Sequence, residues 1–287
     1  MLMVLKKNYV IRNMNRADLE TAIDWAADEC WNPGINDGDC FYHSDPQGFL
    51  VGELDGKPIG CISAVRYGDT FGFMGFYIVK PEYRGQGYGI QLWKAAMDYM
   101  GNRVIGLDGV VAQQNNYIKS GFAAVYHNFR FEGTGNDYMC GQLKEIVDLA
   151  ALPPADLLSY DKLLFPASRP EFIEKWIKPG DGAALGYISD RKLKGYGVIR
   201  ACRNGYKVRP LFADRDDIAE AILKALMSQI RVGAPVFLDV PEVNISALKL
   251  AESFKMQVIF ETARMYRGEP LPVDLNKLYG VTSLELG

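Results

Sequence analysis

Arg84, Gly85, Gly87 and Gly89 stand close together in the sequence, at a spacing that suits the binding of an anion. Gly85 and Gly87 can adopt a positive φ angle and leave no Cβ atom between the backbone and a bound group. Arg84 adds a cation whose planar set of donors can pair with phosphate oxygens. These residue types in this order therefore predict a site for a phosphate or a pyrophosphate.

The segments on either side of this glycine-rich turn determine where its backbone amides would point. An apolar, aromatic run from Phe73 to Val79 predicts a strand before the turn, and apolar residues at helical spacing from Ile90 to Met100 predict a helix after it. A turn between a strand and a helix directs several N–H groups and the helix N-terminus at one place. The pattern differs from the dinucleotide fingerprint, G-x-G-x-x-G, and from a Walker loop, which continues into Gly-Lys-Ser or Gly-Lys-Thr.

The turn closely resembles the acyl-CoA-binding motif of the GCN5-related N-acetyltransferase (GNAT) family, R/Q-x-x-G-x-G/A, with Arg84, Gly87 and Gly89 at its defining positions. A second family motif, a helix ending in Y-x-x-x-G-F, follows in the right order and is matched by Tyr117 to Phe122. The resemblance covers roughly residues 8 to 133. It implies an α+β fold in which a mixed, mostly antiparallel sheet is flanked by helices.

The resemblance also implies which residues bind acetyl-CoA, the co-substrate. Backbone amides from Arg84 to Gly89 would hold the pyrophosphate, and the strand end would hold the pantetheine arm and the acyl carbonyl. Tyr117 matches the family's tyrosine that donates a proton to the CoA sulfur; alternatively, it is an aromatic residue packed under the helix. The predicted cofactor contacts are Tyr77, Ile78, Val79, Arg84, Gly85, Gln86, Gly87, Tyr88, Gly89 and Asn116.

The general base is not evident from the sequence. Better-known members of the family often carry a glutamate on the strand before the glycine turn, but Phe73 to Val79 contains no acid. Asp108, near the end of the next predicted strand, is our candidate base, acting directly or through water. A structural role for Asp108 is the alternative, and its echo in the second half of the chain, Asp239, favours that alternative.

The segment from Cys30 to Tyr42 mixes turn formers, acids and aromatic residues, which predicts a loop with one short helix. In the family this segment binds the acceptor. Aromatic rings beside acids suit a primary amine on a partly apolar body. We therefore predict acceptor contacts, although the aromatic members could be core residues and the acids could lie on a solvated loop. The residues are Glu29, Trp31, Asp37 and Phe41.

Composition limits the other classes of function. The chain has 287 residues with 48% apolar and 23% charged residues, enough for two folded domains. Its net charge of −3 argues against broad nucleic-acid binding. Five cysteines and two histidines show no metal-ligand spacing, so we expect no metal and a reducing compartment. We find neither a secretory signal nor a membrane-spanning run, which predicts a cytoplasmic protein without a membrane partner.

The second half faintly repeats the order of elements of the first. Where the first half has its glycine turn, the second has Phe212 to Asp217, with three acids and no glycine, which would repel a pyrophosphate. The second half resembles the C-terminal domain of tandem members related to the YitH group. We predict a catalytic GNAT domain at residues 1–140, which binds acyl-CoA, and a degenerate GNAT-like domain at residues 141–287.

The sequence thus predicts an acetyl-CoA-dependent N-acetyltransferase that acts on a primary amine of a small molecule or peptide, by direct attack in a ternary complex. Two alternatives stay open: a catalytically silent acyl-CoA-binding or regulatory module, and a transferase for longer acyl or aminoacyl groups. The identity of the amine and the formation of a homodimer also stay open.

Overall fold

The computed structural model describes residues 8–136 and 143–287. The predicted domain boundary at residue 140, and Cys140 with it, lie outside these residues. The first half contains strands β1 (Tyr9–Asn13), β2 (Phe49–Leu54), β3 (Lys57–Tyr67), β4 (Phe71–Val79), β5 (Val104–Val110) and β6 (Ala123–Thr134), and helices α1 (Arg16–Asp28), α2 (Asp37–Ser44), α3 (Tyr88–Met100) and α4 (Gln114–Lys119).

The second half has a comparable set of elements. Its strands are β7 (Ile146–Asp148), β8 (Gly182–Ser189), β9 (Lys192–Ala201), β10 (Tyr206–Ala213), β11 (Pro235–Pro241), β12 (Gln257–Arg267) and β13 (Leu278–Gly280), and its helices are α5 (Pro154–Asp161), α6 (Pro170–Trp176), α7 (Asp216–Met227) and α8 (Ile245–Ser253).

Local sequence signals place most of these elements. Asn15 caps α1 through a capping box with Asp18, because each side chain accepts a hydrogen bond from the other's backbone N–H. For α7 the sequence predicts a helix from Asp216 to Ile230 with Asp214 or Asp216 as its cap. The helix does begin at Asp216, but its N-cap is Arg215 and no side chain caps it, so the predicted cap is wrong. The predicted α+β class, with a mixed and mostly antiparallel sheet flanked by helices, is confirmed.

The strands of the two halves form one continuous sheet in the described part of the chain, in the order β1-β2-β3-β4-β5-β12-β6-β11-β10-β9-β8-β7, with β13 beside β10. The sequence predicts β6 as the last strand of the first half and β12 as the last of the second. In the structure they exchange places. Strand β12 pairs with β5, and β6 pairs with β11, so each half of the sheet is completed by a strand from the other half of the chain.

Two buried ion pairs join the exchanged strands to their neighbours, and the two pairs occupy equivalent positions in the two halves of the sheet. Asp108 on β5 stands directly opposite Arg264 on β12, and Asp239 on β11 stands directly opposite Arg130 on β6. Each arginine binds both carboxylate oxygens of its partner at 2.7–2.9 Å. Asp239 is therefore the structural counterpart of Asp108, and each of the two acids binds an arginine on an exchanged strand.

The core also joins the two halves. Helices α1, α2, α5 and α6 cover one face of the sheet and share a single apolar cluster, in which the ring of Phe41 stacks on that of Trp176 at 5.9 Å. Helix α3 packs on the opposite face. Within residues 8–136 and 143–287, no helix is long and apolar enough to span a membrane.

Candidate functional site

Strands β4 and β5 separate along their length. Their parallel pairing joins Phe71–Met74 to Val104–Leu107 and then stops, while β5 continues its pairing with β12 as far as Val110. A bulge follows in β4, where Phe76 has φ 47° and its carbonyl accepts a hydrogen bond from the Cys61 thiol at 3.1 Å. The edge of β4 that faces β5 beyond Met74 therefore offers its N–H and C=O groups to an extended, amide-containing chain.

The glycine-rich turn lies at the end of this separated strand. Gly85 and Gly87 have φ angles of 72° and 84°, and a Cβ atom at either position would meet nothing within 4 Å. Glycine is required there by the backbone conformation, which leaves the space in front of the turn open. In the described part of the chain, the N–H groups of Gly85, Gln86 and Gly87 donate to no acceptor. They precede the N-terminus of α3, and donors grouped in this way can bind an anion.

Gly89 has a different role in the same turn. A Cβ atom at Gly89 would lie 2.8 Å from the Tyr77 hydroxyl oxygen, so glycine lets the first turn of α3 pack closely on β4. This contact places the predicted strand contacts, Tyr77 to Val79, beside the predicted anion contacts.

The Arg84 guanidinium already has two protein partners. Its Nε donates to the Val79 carbonyl oxygen at 2.7 Å, and its Nη2 forms an ion pair with Glu29 at the C-terminal end of α1. Arg84 therefore links three parts of the candidate site: the separated strand, the glycine turn and the predicted acceptor segment.

Aromatic rings connect α3, α4 and the two separated strands. The Trp93 ring lies 5.5 Å from the Tyr77 ring and 5.5 Å from the Tyr117 ring. Gly109 on β5 makes room for Tyr117, because a Cβ atom there would lie 2.6 Å from that ring. Burial raises the pKa of Tyr117 to about 12, with a further contribution from Tyr77. The Tyr117 hydroxyl is therefore protonated at neutral pH, and it has no hydrogen-bond partner among the described residues.

The remaining predicted cofactor contacts lie on the surface around the turn. Gln86 donates to the Glu82 carbonyl oxygen at 2.9 Å, and Asn116 donates to Gln113 at 2.7 Å. The Tyr88 ring packs on Tyr9 at 4.8 Å. The structure thus brings Tyr77–Val79 and Arg84–Gly89 into one place, with Tyr117 joined to them through Trp93.

The position of Asp108 favours the structural alternative. Its carboxylate is buried, binds Arg264 through both oxygens and accepts a further hydrogen bond from Asn128 at 2.8 Å. Burial raises the pKa of Asp108, and Arg264 and Asn128 oppose that shift. Since these donors occupy both oxygens, a proton could reach Asp108 only if the ion pair opened.

The four predicted acceptor contacts lie in different surroundings. Glu29 faces the glycine turn through Arg84, and Trp31 is half-buried at the edge of the core. Asp37 and Phe41 are on α2 and are both buried at 1% exposure. The sequence suggested an open loop for Asp37, but its carboxylate is in the core, because Arg200, Arg209 and the Gly34 N–H all donate to it. Phe41 is a core residue, which agrees with the alternative given for the aromatic residues of this segment.

Three basic residues near the site had no sequence signal of their own. Arg264, Arg130 and Lys207 are buried on β12, β6 and β10, respectively. The repeat of Asp108 as Asp239 could have suggested that each half supplies an arginine partner, but the strand exchange that joins them is not visible in the sequence.

Two family models match the chain. The model described as "Acetyltransferase (GNAT) family" matches residues 15–122, and the model described as "Acetyltransferase (GNAT) domain" matches residues 157–280. Together they account for most of the chain, with one match in each half.

Individual relatives and solved structures agree with the two family matches. The chain is 29% identical over 266 residues to holothin acyltransferase of Pseudoalteromonas sp. (strain SANK 73390), over 92% of this chain and 90% of that protein. A structure from Pyrococcus horikoshii, assigned as an acetyltransferase, has a TM-score of 0.82 at 22% identity and covers 99% of this chain and 98% of its own. A tandem GNAT protein from the clavulanic acid biosynthesis pathway has a TM-score of 0.62 at 12% identity, over 92% of this chain and 100% of its own.

Proposed function

The chain is an acyltransferase of the GNAT family with two of the family's domains in tandem, and on that premise we propose that its first half transfers an acetyl group from acetyl-CoA to a primary amine. The observation that carries this proposal is the combination of separated strands β4 and β5 with the open glycine turn at the end of β4. The corresponding turn of the second half has no glycine, so we assign acyl-CoA binding to the first half alone.

The binding steps follow from the donors at the turn. The N–H groups of Gly85, Gln86 and Gly87 bind the pyrophosphate of CoA, with the N-terminus of α3 adding its positive dipole. The free edge of β4 from Gly75 to Val79 binds the amide groups of the pantetheine arm. A backbone N–H near Val79 then lies beside the acyl carbonyl, where it stabilises the developing oxyanion.

Proton transfer completes the proposed reaction. The neutral amine attacks the thioester carbonyl, a C–N bond forms and the C–S bond breaks. Tyr117 donates its hydroxyl proton to the leaving sulfur, and the proton lost by the amine passes to water or to a base. Tyr117 suits the role of acid because it is protonated, is near the aromatic group formed by Tyr77 and Trp93, and has no partner that competes for its proton among the residues described.

Acetyl-CoA binding by isothermal calorimetry tests the first step. We expect Arg84→Glu to abolish measurable binding, because it places a carboxylate in front of the pyrophosphate site and beside Glu29. The matched control is Arg215→Glu at the equivalent turn of the second half, where Arg215 is exposed and forms an ion pair with Asp217. Absence of binding by the unchanged protein, or equal loss in both variants, would refute the assignment.

The acceptor is the next question. Because the chain resembles holothin acyltransferase, holothin is the first acceptor to test, followed by a panel of primary amines with release of the CoA thiol as the signal. Turnover with any amine would exclude the silent-module alternative, whereas acetyl-CoA binding without turnover across the panel would favour it. Competition between acetyl-CoA and longer acyl-CoA donors would identify the preferred acyl group.

A further inference from the structure

The predicted acceptor segment of the first half is bound directly by the second half. We call residues 29–36 the acceptor loop and residues 201–207 the hairpin, which joins β9 to β10. The Trp31 carbonyl oxygen accepts two hydrogen bonds from cations, one from Arg130 Nη1 at 2.8 Å and one from Lys207 Nζ at 3.0 Å. Both donors are buried.

Neutral hydrogen bonds extend this contact along the acceptor loop. The Asn32 side chain binds the backbone of Asn204 twice, since its Nδ2 donates to the carbonyl and its Oδ1 accepts from the N–H, each at 2.9 Å. The Arg203 N–H donates to the Pro33 carbonyl at 3.1 Å, and the Ile35 N–H donates to the Ala201 carbonyl at 3.0 Å. Four successive parts of the loop are thus tied to one hairpin.

The acceptor loop has a backbone conformation that it would not hold by itself. Cys30 has φ 62° and Asn32 has φ 52°, so both residues next to Trp31 are in the left-handed region. That region is unfavourable for a residue with a side chain, although asparagine tolerates it better than most. Such a conformation persists only when surrounding contacts determine it.

Lys207 is the least expected of these contacts. Arg130 is neutralised by Asp239, but Lys207 forms no ion pair within 4.0 Å among the described residues and is 2% exposed. Burying an ammonium group without a carboxylate in direct contact opposes folding, and Asp239 and Asp37 attract Lys207 only from a longer distance. Its Nζ donates to the Trp31 carbonyl, which is the central peptide of the strained loop.

We infer that the hairpin of the second half positions the acceptor loop of the first, with Lys207 and the Asn32–Asn204 contact as its positioning elements. This inference rests on the proposed function. It gives a defined role to the half of the chain without a glycine turn, which holds the Trp31 peptide where the acceptor enters, while CoA binds at the glycine turn of the first half.

Three variants test the inference. Lys207→Met removes the ammonium but leaves the Trp31 carbonyl bound to Arg130, so no orphaned acceptor remains. Asn32→Gly removes both side-chain bonds while permitting the positive φ angle, and Asn32→Asp restores the acceptor half of the pair. Lys192→Met, at the exposed start of β9, is the matched control.

Hydrogen exchange and kinetics are the two measurements. We expect the amides of residues 30–35 to exchange roughly 5–10-fold faster in Lys207→Met and Asn32→Gly, as for loss of about one net hydrogen bond. With holothin as acceptor, KM should rise by about the same factor while the dissociation constant for acetyl-CoA stays within about twofold. Asn32→Asp should recover part of both effects, and Lys192→Met should show neither.

The outcomes separate the inference from the proposed function. The inference is overturned if the amides of residues 30–35 exchange at unchanged rates in both Lys207→Met and Asn32→Gly. It is also overturned if the dissociation constant for acetyl-CoA rises by the same factor as the KM for holothin. Either result leaves the proposed function intact. If the unchanged protein does not turn over holothin, exchange and acetyl-CoA binding decide the inference without it, and the acceptor assignment fails by itself.

Discussion

The pair of substitutions Asp108→Asn and Asp239→Asn distinguishes a catalytic from a structural Asp108. Each removes one carboxylate charge from a buried ion pair with an arginine on an exchanged strand. The two sites are related by the repeat, but only Asp108 lies on a strand that borders the proposed thioester site. Asp239→Asn is therefore the matched control for the effect of breaking a buried ion pair, and the acceptor must be saturating because Arg130 also binds the Trp31 carbonyl.

The expected loss of stability follows from what remains after the substitution. Asparagine keeps one oxygen for the arginine but leaves its buried guanidinium without a counter-charge. Removing one partner of such a pair costs about 3–5 kcal/mol. Since about 1 kcal/mol shifts the melting temperature of a large domain by 2–4 °C, each variant should melt roughly 6–20 °C below the unchanged protein.

The activity assay then separates the two roles of Asp108. Initial rates of thiol release should be measured with saturating acetyl-CoA at a temperature where both variants are folded by circular dichroism. If Asp108 is structural, both variants should keep kcat within a few-fold of the unchanged protein, with the same pH profile. A kcat that falls by about 10²-fold or more in Asp108→Asn alone would show that Asp108 is the base and refute our reasoning.

Three further predictions concern other parts of the structure. Tyr117→Phe keeps the ring packed against Trp93 and Gly109 but removes the acid, so kcat should fall by about 10²–10⁴-fold while calorimetry finds acetyl-CoA binding unchanged; an unaltered kcat would assign Tyr117 to packing. Burial and the neighbouring Arg130 and Arg209 lower the pKa of Lys207 to about 8. The unfolded chain therefore binds more protons than the folded one above pH 8, and the free energy of unfolding should gain a positive slope with pH between about 8 and 10 that Lys207→Met lacks. Denaturant unfolding at pH 7.5, 8.5 and 9.5 measures this difference, and identical slopes in the two proteins would contradict it. A fragment ending at residue 136 lacks β12 and should show neither a cooperative melt nor acetyl-CoA binding; a fragment that melts cooperatively and binds would show that the first half is autonomous.

The parts of the site that depend on local sequence were predictable. Gly85 and Gly87 adopt the positive φ angles that a glycine turn suggests. Asn15, a residue type that favours the N-cap, stands directly before the helical pattern that begins at Arg16, and it caps α1. These features depend on the conformational freedom of one residue or on a hydrogen bond three residues along the chain. No distant partner is needed to recognise them.

The parts that depend on distant partners were not predictable. Asp108 binds Arg264 across 156 positions, and Asp37 binds Arg209 across 172. A lone aspartate looks the same in sequence whether it will be a solvated acid or half of a buried ion pair. Only the fold decides, since the cost of burying the charge is offset by a partner that another strand supplies.

The exchange of β6 and β12 has a consequence for synthesis on the ribosome. Strand β5 ends at Val110, but its neighbour β12 begins only at Gln257. At about 5–20 residues per second, the gap of roughly 150 residues takes about 7–30 s to translate. During that time β5 has an unpaired edge, which is a template for association with other chains, unless β6 occupies the place next to it. We expect β6 to occupy this place until β12 emerges. That pairing lacks the Asp108–Arg264 ion pair and falls short of a cooperative fold, so it covers the edge of the nascent first half without completing it.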